Sequence, residues 1–313
     1  MYWCPTPVPN WGHSLQPVAV LFVVLLLVGP PPLRAQVMTD SLVGAASSVE
    51  PGPWIPPLHE IRQNAVDVVQ GPFALSARER RLALGATGLL LGVAATLDEP
   101  AYRHLSERSG AESAAARRAT ASLARPGEWY DGHNANRLAF RTVAGLAGGG
   151  LLLREPALTR TSVRTLEAIV YTDLVVGLAK SVLNRARPYV GPAPDAFAAD
   201  PGAFRGDHTA LAMPSGHAGR VFAIASVLSH QADRWYVSVP LYAGASSVAL
   251  ERVRSGDHWL TDVVVGGAIG YVVGRSVADN GGRGRSGRTG TTGPPVRYEP
   301  VLSLGGVGLR VQF

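Results

Sequence analysis

Six apolar segments of helical length, divided by polar stretches, constrain this chain more than any other feature. They run over Leu82–Leu97, Leu138–Leu153, Val163–Leu183, His217–Ser229, Trp235–Leu250 and Trp259–Val277. Ahead of them, Leu58 to Gln70 places Leu58, Ile61, Ala65 and Val68 on one face, an amphipathic helix. The first two apolar segments are short for a hydrocarbon core that takes about 20 residues to cross. The third carries Glu167, Asp173 and Lys180, all costly in lipid. The pattern predicts a compact all-α bundle, soluble or resting on a membrane, with insertion as several spans as the alternative. Of the 313 residues, 46% are hydrophobic and 17% charged, and 36 are glycine, so close helix packing is expected, for instance along Gly145–Gly150.

Both ends of the chain read differently. Val18 to Val28 is an apolar run broken by Pro30, Pro31 and Pro32, and Leu33-Arg34-Ala35 ends on a small residue. Residues 1–35 are expected to be a secretory signal, placing the protein in the periplasm or cell envelope, with residues 36–57 as a leader before a helical domain over 58–280. The single cysteine, Cys4, lies inside that signal, so disulfides, thiolate zinc and cysteine nucleophiles are not expected in the remainder. Residues 281–297, rich in Gly, Arg, Ser and Thr, are expected to be a linker. The formal charge is +6, but no aromatic residue interleaves Arg283, Arg285 and Arg288, so a nucleic-acid partner is not expected. Residues 298–313 alternate on either side of Gly305-Gly306, a short β-hairpin expected to pack on the bundle.

Three polar blocks interrupt the apolar ones. Lys180 is the only lysine among 29 basic residues, and Lys180-x6-Arg187-Pro188 follows from it. A helix continued through both cations sets them two turns apart on one face, with Pro188 ending it. A compact ammonium and a planar guanidinium suit one phosphate. A similar run, Arg118-x6-Arg125-Pro126, shows that this spacing alone is weak.

In Pro214-Ser215-Gly216-His217, Ser215 is an N-cap and the backbone N–H groups of Ser215, Gly216 and His217 point at an anion. His217 then stands in the first turn, placed to protonate a leaving oxygen. The third block is Arg252-x5-His258-x3-Asp262. With His258 and Asp262 four apart on one helix, Asp262 accepts from Nδ1–H and leaves Nε2 free as a nucleophile. Asp257 or Ser255 caps that helix, and Arg252 swings back to the anion. His208 lies in the loop between the second and first blocks and can face substrate. No His/Asp spacing forms a metal set.

In this order the blocks resemble the type 2 phosphatidic acid phosphatase (PAP2) family, whose fold is shared with vanadium-dependent haloperoxidases and bacterial class A acid phosphatases. The resemblance spans about Val163 to Val277, with Glu251 standing where the family pattern has serine. It implies a PAP2/haloperoxidase-like helical bundle of about six core helices. It also implies roles: Lys180, Arg187, Ser215, Gly216 and Arg252 bind phosphate oxygens, His258 attacks phosphorus to form a phosphohistidine, His217 is acid and then base, and Asp262 orients His258. The expected activity is a metal-independent phosphatase acting on phosphomonoesters or diphosphates, lipid phosphates foremost, at a membrane surface or bilayer. The alternative on the same fold is a haloperoxidase holding vanadate at His258, and a third reading is an envelope protein that retains the blocks without catalysis.

Overall fold

The computed structural model describes residues 54–70, 77–109, 114–190, 194, 211–286, 297–303 and 306–312. The signal segment, most of the leader and the His208 loop lie outside these residues. Eight helices are described: α1 (Leu58–Gln70), α2 (Ala77–Leu105), α3 (Ala114–Gly132), α4 (Ala135–Leu152), α5 (Pro156–Leu183), α6 (Gly216–Ala232), α7 (Trp235–Arg254) and α8 (Leu260–Ser286). The body is all-helical. The six apolar segments lie within or along α2 and α4 to α8, and the amphipathic segment is α1.

Helix α3 falls in a stretch the sequence reading treats as a polar separator. Its buried face is made of Ala124, Gly127 and Tyr130, so bulk apolar residues do not announce it. Close packing takes their place: a Cβ on Gly127 would meet the Ser247 backbone and, at 2.7 Å, Glu251 Cβ on α7. The run Gly145–Gly150 packs closely only at its end: Gly145, Gly148 and Gly149 face open space, while a Cβ at Gly150 would meet Thr159 N at 2.8 Å and Glu155 O at 3.1 Å at the start of α5. The tight seam is on α8. Gly266, Gly270 and Gly274 stand on one face, where any side chain would collide with the α6 backbone from Ser215 to Ala223. Four-residue spacing aligns these glycines along one stripe, so the two axes come together near the cap that bears Ser215.

Helix α6 packs most extensively on α8, and also on α5 and α7. Val176, Ala179 and Leu183 of α5 join Val265, Ile269 and Val273 of α8 in one core cluster. Tyr130, Val221, Ala225, Ala245 and Val248 make a second one between α3, α6 and α7. Glu167, Asp173 and Lys180 of α5 all turn inward. Asn64 of α1 donates to Glu167 at 2.6 Å, Arg220 of α6 pairs with Asp173 at 2.6 Å, and Lys180 enters the polar end of the bundle.

The opposite side of α5 is uncharged throughout and mostly aliphatic. Between residues 161 and 183 its exposed positions are Leu166, Val170, Leu174, Gly177, Leu178, Ser181 and Val182. The five aliphatic ones are 44–70% exposed. The outer face of α7 is likewise uncharged from Trp235 to Ser246. On another side, α1 presents His59, Arg62 and Gln63 outward. Among the described residues, Leu260–Asp279 of α8 is the helix apolar and long enough to cross a membrane, with a mean hydropathy of 1.3, but 61% of that window is buried in the bundle. It is the central helix of a core.

Two boundary expectations change. Helix α8 continues to Ser286, past the expected start of the linker at residue 281, because extending an established helix adds a bond per residue without a new nucleus. A hairpin packed on the bundle is not supported. Arg297–Ser303 pairs antiparallel with Gly306–Gln312, and neither strand shares an extensive contact with a helix among the described residues. Two strands are marginal in water by themselves.

Candidate active site

The polar end of the bundle gathers the C-termini of α3, α5 and α7 and the N-termini of α6 and α8. Helix α5 stops earlier than expected. Asn184 is its C-cap at φ 50°, ψ 41°, a left-handed conformation that asparagine tolerates and that ends a helix cleanly. Arg187 therefore does not share a helical face with Lys180. It lies on an extended segment fixed by a bridge between Ala186 and Leu211, with Ala212 N–H donating to Arg185 O at 2.8 Å. Lys180 Nζ donates to Leu211 O at 2.6 Å and more distantly to Ala212 O at 3.5 Å. Burial, and then Arg187 nearby, push its pKa down to about 8.

Ser215 caps α6: it is extended at φ −72°, ψ 117°, and its Oγ accepts from Ala218 N–H at 3.5 Å. Its own N–H donates to Asp262 O at 2.9 Å, so the cap is clamped to the first turn of α8. Gly216 and His217 N–H are left among the unsatisfied donors of a helix start, beside the positive end of its dipole. A Cβ at Gly216 would make only an ordinary 3.8 Å contact with Val176 Cγ1, so packing alone does not demand glycine there. The His217 ring meets Tyr130 edge-on, centroids 6.3 Å apart at 83°. Burial first, then the charges of Arg252, His258, Arg220 and Arg187, bring its pKa to about 3. With no anion bound, His217 is neutral at pH 7.

His258 also departs from the expected local structure. Helix α8 begins at Leu260, so His258 sits in the turn before it and Asp262 in its first turn. Neither Asp257 nor Ser255 caps the helix. Asp262 Oδ2 reaches back to Trp259 N–H at 2.8 Å, the acidic half of a capping box, and Asp98 of α2 accepts from Thr261 N–H at 2.8 Å. Asp262 Oδ2 lies 3.6 Å from His258 Nδ1, longer than a hydrogen bond but close enough to orient the ring. His258 is 2% exposed, and burial, only partly opposed by Asp262, lowers its pKa to about 4.

Several residues that complete the site gave no sequence signal. Arg185, next but one to Arg187, is 4% exposed. Its guanidinium donates to Asp262 Oδ1 at 2.8 Å, to Asp98 Oδ2 at 2.7 Å and to Thr261 Oγ1. Burial alone would raise the Asp262 carboxyl, but Arg185 and His258 outweigh it and hold the group below its ordinary value. Asp131, at the end of α3, pairs with Arg252. Arg252 also lies 3.3 Å from Asp257 Oδ2 and from Ser255 Oγ. Arg220, one turn past His217, bridges Asp173 and Asn136. Arg185, Asp98 and Asp131 find their partners through tertiary packing, across 77 to 121 residues of chain for Asp262 and Arg252, so no short motif encloses them.

Glu251 pairs with Arg254, which lies outside the three motif blocks. It lies against Gly127 and is 3.4 Å from Arg254 Nε. Burial, and next the neighbouring Glu128, lift its pKa to about 7. Arg254 also donates to Arg117 O at 2.8 Å and Thr120 Oγ1 at 2.7 Å. Glu251 thus serves the α3–α7 contact, and its pairing leaves Arg252 to Asp131 and Asp257.

All eight residues singled out in the sequence reach this end of the bundle. Arg187 acts on both histidines, Arg252 on His217 and Lys180 on His258. A buried neutral imidazole, a second imidazole, three cations and a helix N-terminus can accept an oxyanion and carry out nucleophilic substitution on it.

Comparison with known proteins bears on the same segment. Residues 162–280 match the model of the PAP2 superfamily. A protein of Porphyromonas gingivalis named lipid A 1-phosphatase is 38% identical over 77 residues, which is 23% of this chain and 17% of that protein. The match therefore spans well under a fifth of the relative's length. No solved structure matches the chain. The matched segment, residues 162–280, contains every residue of the three motif blocks.

Proposed function

We propose that this protein is a phosphatase that releases phosphate from monoesters or diphosphates through a phosphohistidine intermediate, with lipid phosphates as its substrates. The observation that carries this reading is His258: buried, neutral, its Nδ1 turned to Asp262, under the charges of Lys180 and Arg187, with its backbone N–H donating to Arg252 O. The similarity to a protein named lipid A 1-phosphatase favours a phosphate carried on a lipid.

In this mechanism the three cations and the α6 N-terminus hold the phosphoryl oxygens, and His258 Nε2 attacks phosphorus in line. A neutral imidazole is the competent nucleophile, and Asp262 steadies the positive charge that develops on it. The ester oxygen leaves with a proton from His217. That proton arrives with the substrate: the positive surroundings that keep His217 neutral are offset when a phosphate binds beside it, and its pKa rises. Neutral again, His217 takes a proton from water, which attacks the phosphohistidine and frees orthophosphate. Charge-assisted contacts of about 1.5–3 kcal/mol each and acid–base help of roughly 10²–10⁴-fold act on the transition state. The reading assigns no step to a metal.

The uncharged outer faces of α5 and α7 favour contact with a membrane, while the outward polar residues of α1, Arg62 among them, favour water. The secretory signal expected over residues 1–35 favours the cell envelope.

The test is phosphate release in EDTA from phosphatidate, an isoprenyl diphosphate and an aryl phosphate. Turnover that survives EDTA and is lost in His258→Ala is the expected result. Equal turnover by His258→Ala sinks the mechanism. Vanadate-dependent halide oxidation in place of phosphate release sinks the activity.

A further inference from the structure

A fourth cation reaches the anion site from outside the motif blocks. Arg108 belongs to the short 3₁₀ turn Glu107–Ser109 that follows α2. Its Nε donates to Ser255 O at 2.8 Å, its NH2 lies 3.5 Å from Asp257 Oδ1, and its guanidinium stands over the Tyr189 ring at 4.8 Å. The turn is seated by Gly256. That residue has φ +70°, and a Cβ there would meet Ser106 Oγ at 2.7 Å and Arg108 Cδ at 3.0 Å. Both the backbone conformation and the contact call for glycine, and together they lay the arginine stem along the loop between Arg252 and His258.

Asp257 ties this arginine to two motif cations. Its Oδ1 is shared by Arg108 and by Arg187 NH1 at 4.0 Å, and its Oδ2 faces Arg252 NH2 at 3.3 Å. The guanidinium groups form a line from the interior outward: side-chain exposure rises from 11% at Arg252 to 18% at Arg187 and 50% at Arg108. Arg187 and Arg108 also flank one ring, since Arg187 lies 5.9 Å from the Tyr189 centroid. Two guanidinium groups on a single carboxylate oxygen are close neighbours, and among the described residues that one carboxylate does not offset their combined charge. A stacked, tethered guanidinium is preorganised for a second bidentate anion.

We propose that Arg108 and Tyr189 form an outer subsite for a second phosphoryl group, one bridging oxygen from the phosphorus that His258 attacks, so that the site is selective for diphosphate esters. This rests on the phosphatase reading above. His258 Nε2 bonds to the terminal phosphorus while the bond from that phosphorus to the bridging oxygen breaks. The bridging oxygen takes the His217 proton and leaves on the chain-bearing monophosphate, which Arg108 holds. Water then cleaves the phosphohistidine, its proton going to His217, and orthophosphate departs.

The experiment compares an isoprenyl diphosphate with the matching isoprenyl monophosphate in wild type, Arg108→Gln, Arg108→Lys and His258→Ala. Arg108→Gln is expected to lower kcat/KM for the diphosphate roughly 10- to 100-fold more than for the monophosphate, about the worth of one charge-assisted bond. The loss falls in KM, and Arg108→Lys recovers part of it. An equal loss on both substrates means that Arg108 only braces the 255–257 loop, and overturns the subsite. No loss on either overturns it too. Turnover that persists in His258→Ala is a different failure, that of the underlying mechanism.

Discussion

Arg185→Leu removes a cation that is 4% exposed and strands two carboxylates, Asp98 at 1% and Asp262 at 0% exposure. Breaking a buried pair from one side costs about 3–5 kcal/mol, because the remaining charge has lost its compensation. Two backbone bonds survive, from Thr261 N–H to Asp98 and from Trp259 N–H to Asp262, each at 2.8 Å. These place the expected loss near the lower figure, about 3 kcal/mol. With an m-value of about 2 kcal/mol/M in urea, the midpoint falls by roughly 1.5 M. Urea titration followed by helical circular dichroism at pH 7 measures it. The sign of the pH effect is a second check. In the wild type the Asp262 pKa is depressed, so its contribution is present above the ordinary carboxylate range and lost as pH falls. In the variant burial acts unopposed by Arg185, the carboxyl protonates readily, and the gap between the two proteins narrows towards pH 4. Adding Asp98→Asn removes one stranded charge and should recover part of the loss, a coupling of about 0.5–3 kcal/mol. A midpoint unchanged within about 0.5 kcal/mol, or a gap that widens in acid, refutes the assignment of Arg185 as the counter-charge of this network.

Two further expectations follow from the same structure. His217 and His258 have pKa values lowered from 6.5 to about 3 and 4, so the stability they give is full above pH 6.5 and lost as pH falls towards those values, whereas Glu251, raised from 4.5 to about 7, contributes stability at low pH that is lost as pH rises through 7. Glu251→Gln should therefore lose more Tm than wild type between pH 6.5 and pH 4.5; equal losses would show that Glu251 does not offset the histidines. Replacing Leu174 and Leu178 with glutamate should abolish flotation with phospholipid vesicles, while Arg62→Glu on the polar side should not; flotation unaffected by the leucine changes would remove α5 from the membrane contact.

Much of the helical frame was legible because long apolar runs must be buried, and their lengths are those of helices. Helix α3 was not, because Ala124 and Gly127 contribute close approach instead of apolar bulk, and approach depends on what lies opposite. The glycine seam was only partly placed for the same reason: of the run Gly145–Gly150 only Gly150 meets another stretch of backbone, at Glu155 and Thr159, whereas Gly266, Gly270 and Gly274 all face α6. Local spacing also misplaced two helix ends. Lys180 and Arg187 fit one face on paper, but Asn184 turns left-handed between them. His258 and Asp262 fit one helix, but the reach of Asp262 to Trp259 N–H starts that helix after His258.

The sequence by itself picked out the candidate groups: Lys180, Arg187, Ser215, Gly216, His217, Arg252, His258 and Asp262 stand in three short blocks whose residue types suit a phosphoryl group. Short-range order suffices there because each block is a cap, a turn or a helix end. Only the tertiary structure decided how these groups are charged and held. The neutral histidines follow from burial, the lowered Asp262 from Arg185, the restraint on Arg252 from Asp131, and the approach of Arg108 from Gly256. Each is a through-space effect between distant parts of the chain, and electrostatic energy depends on distance and burial, not on order along the sequence.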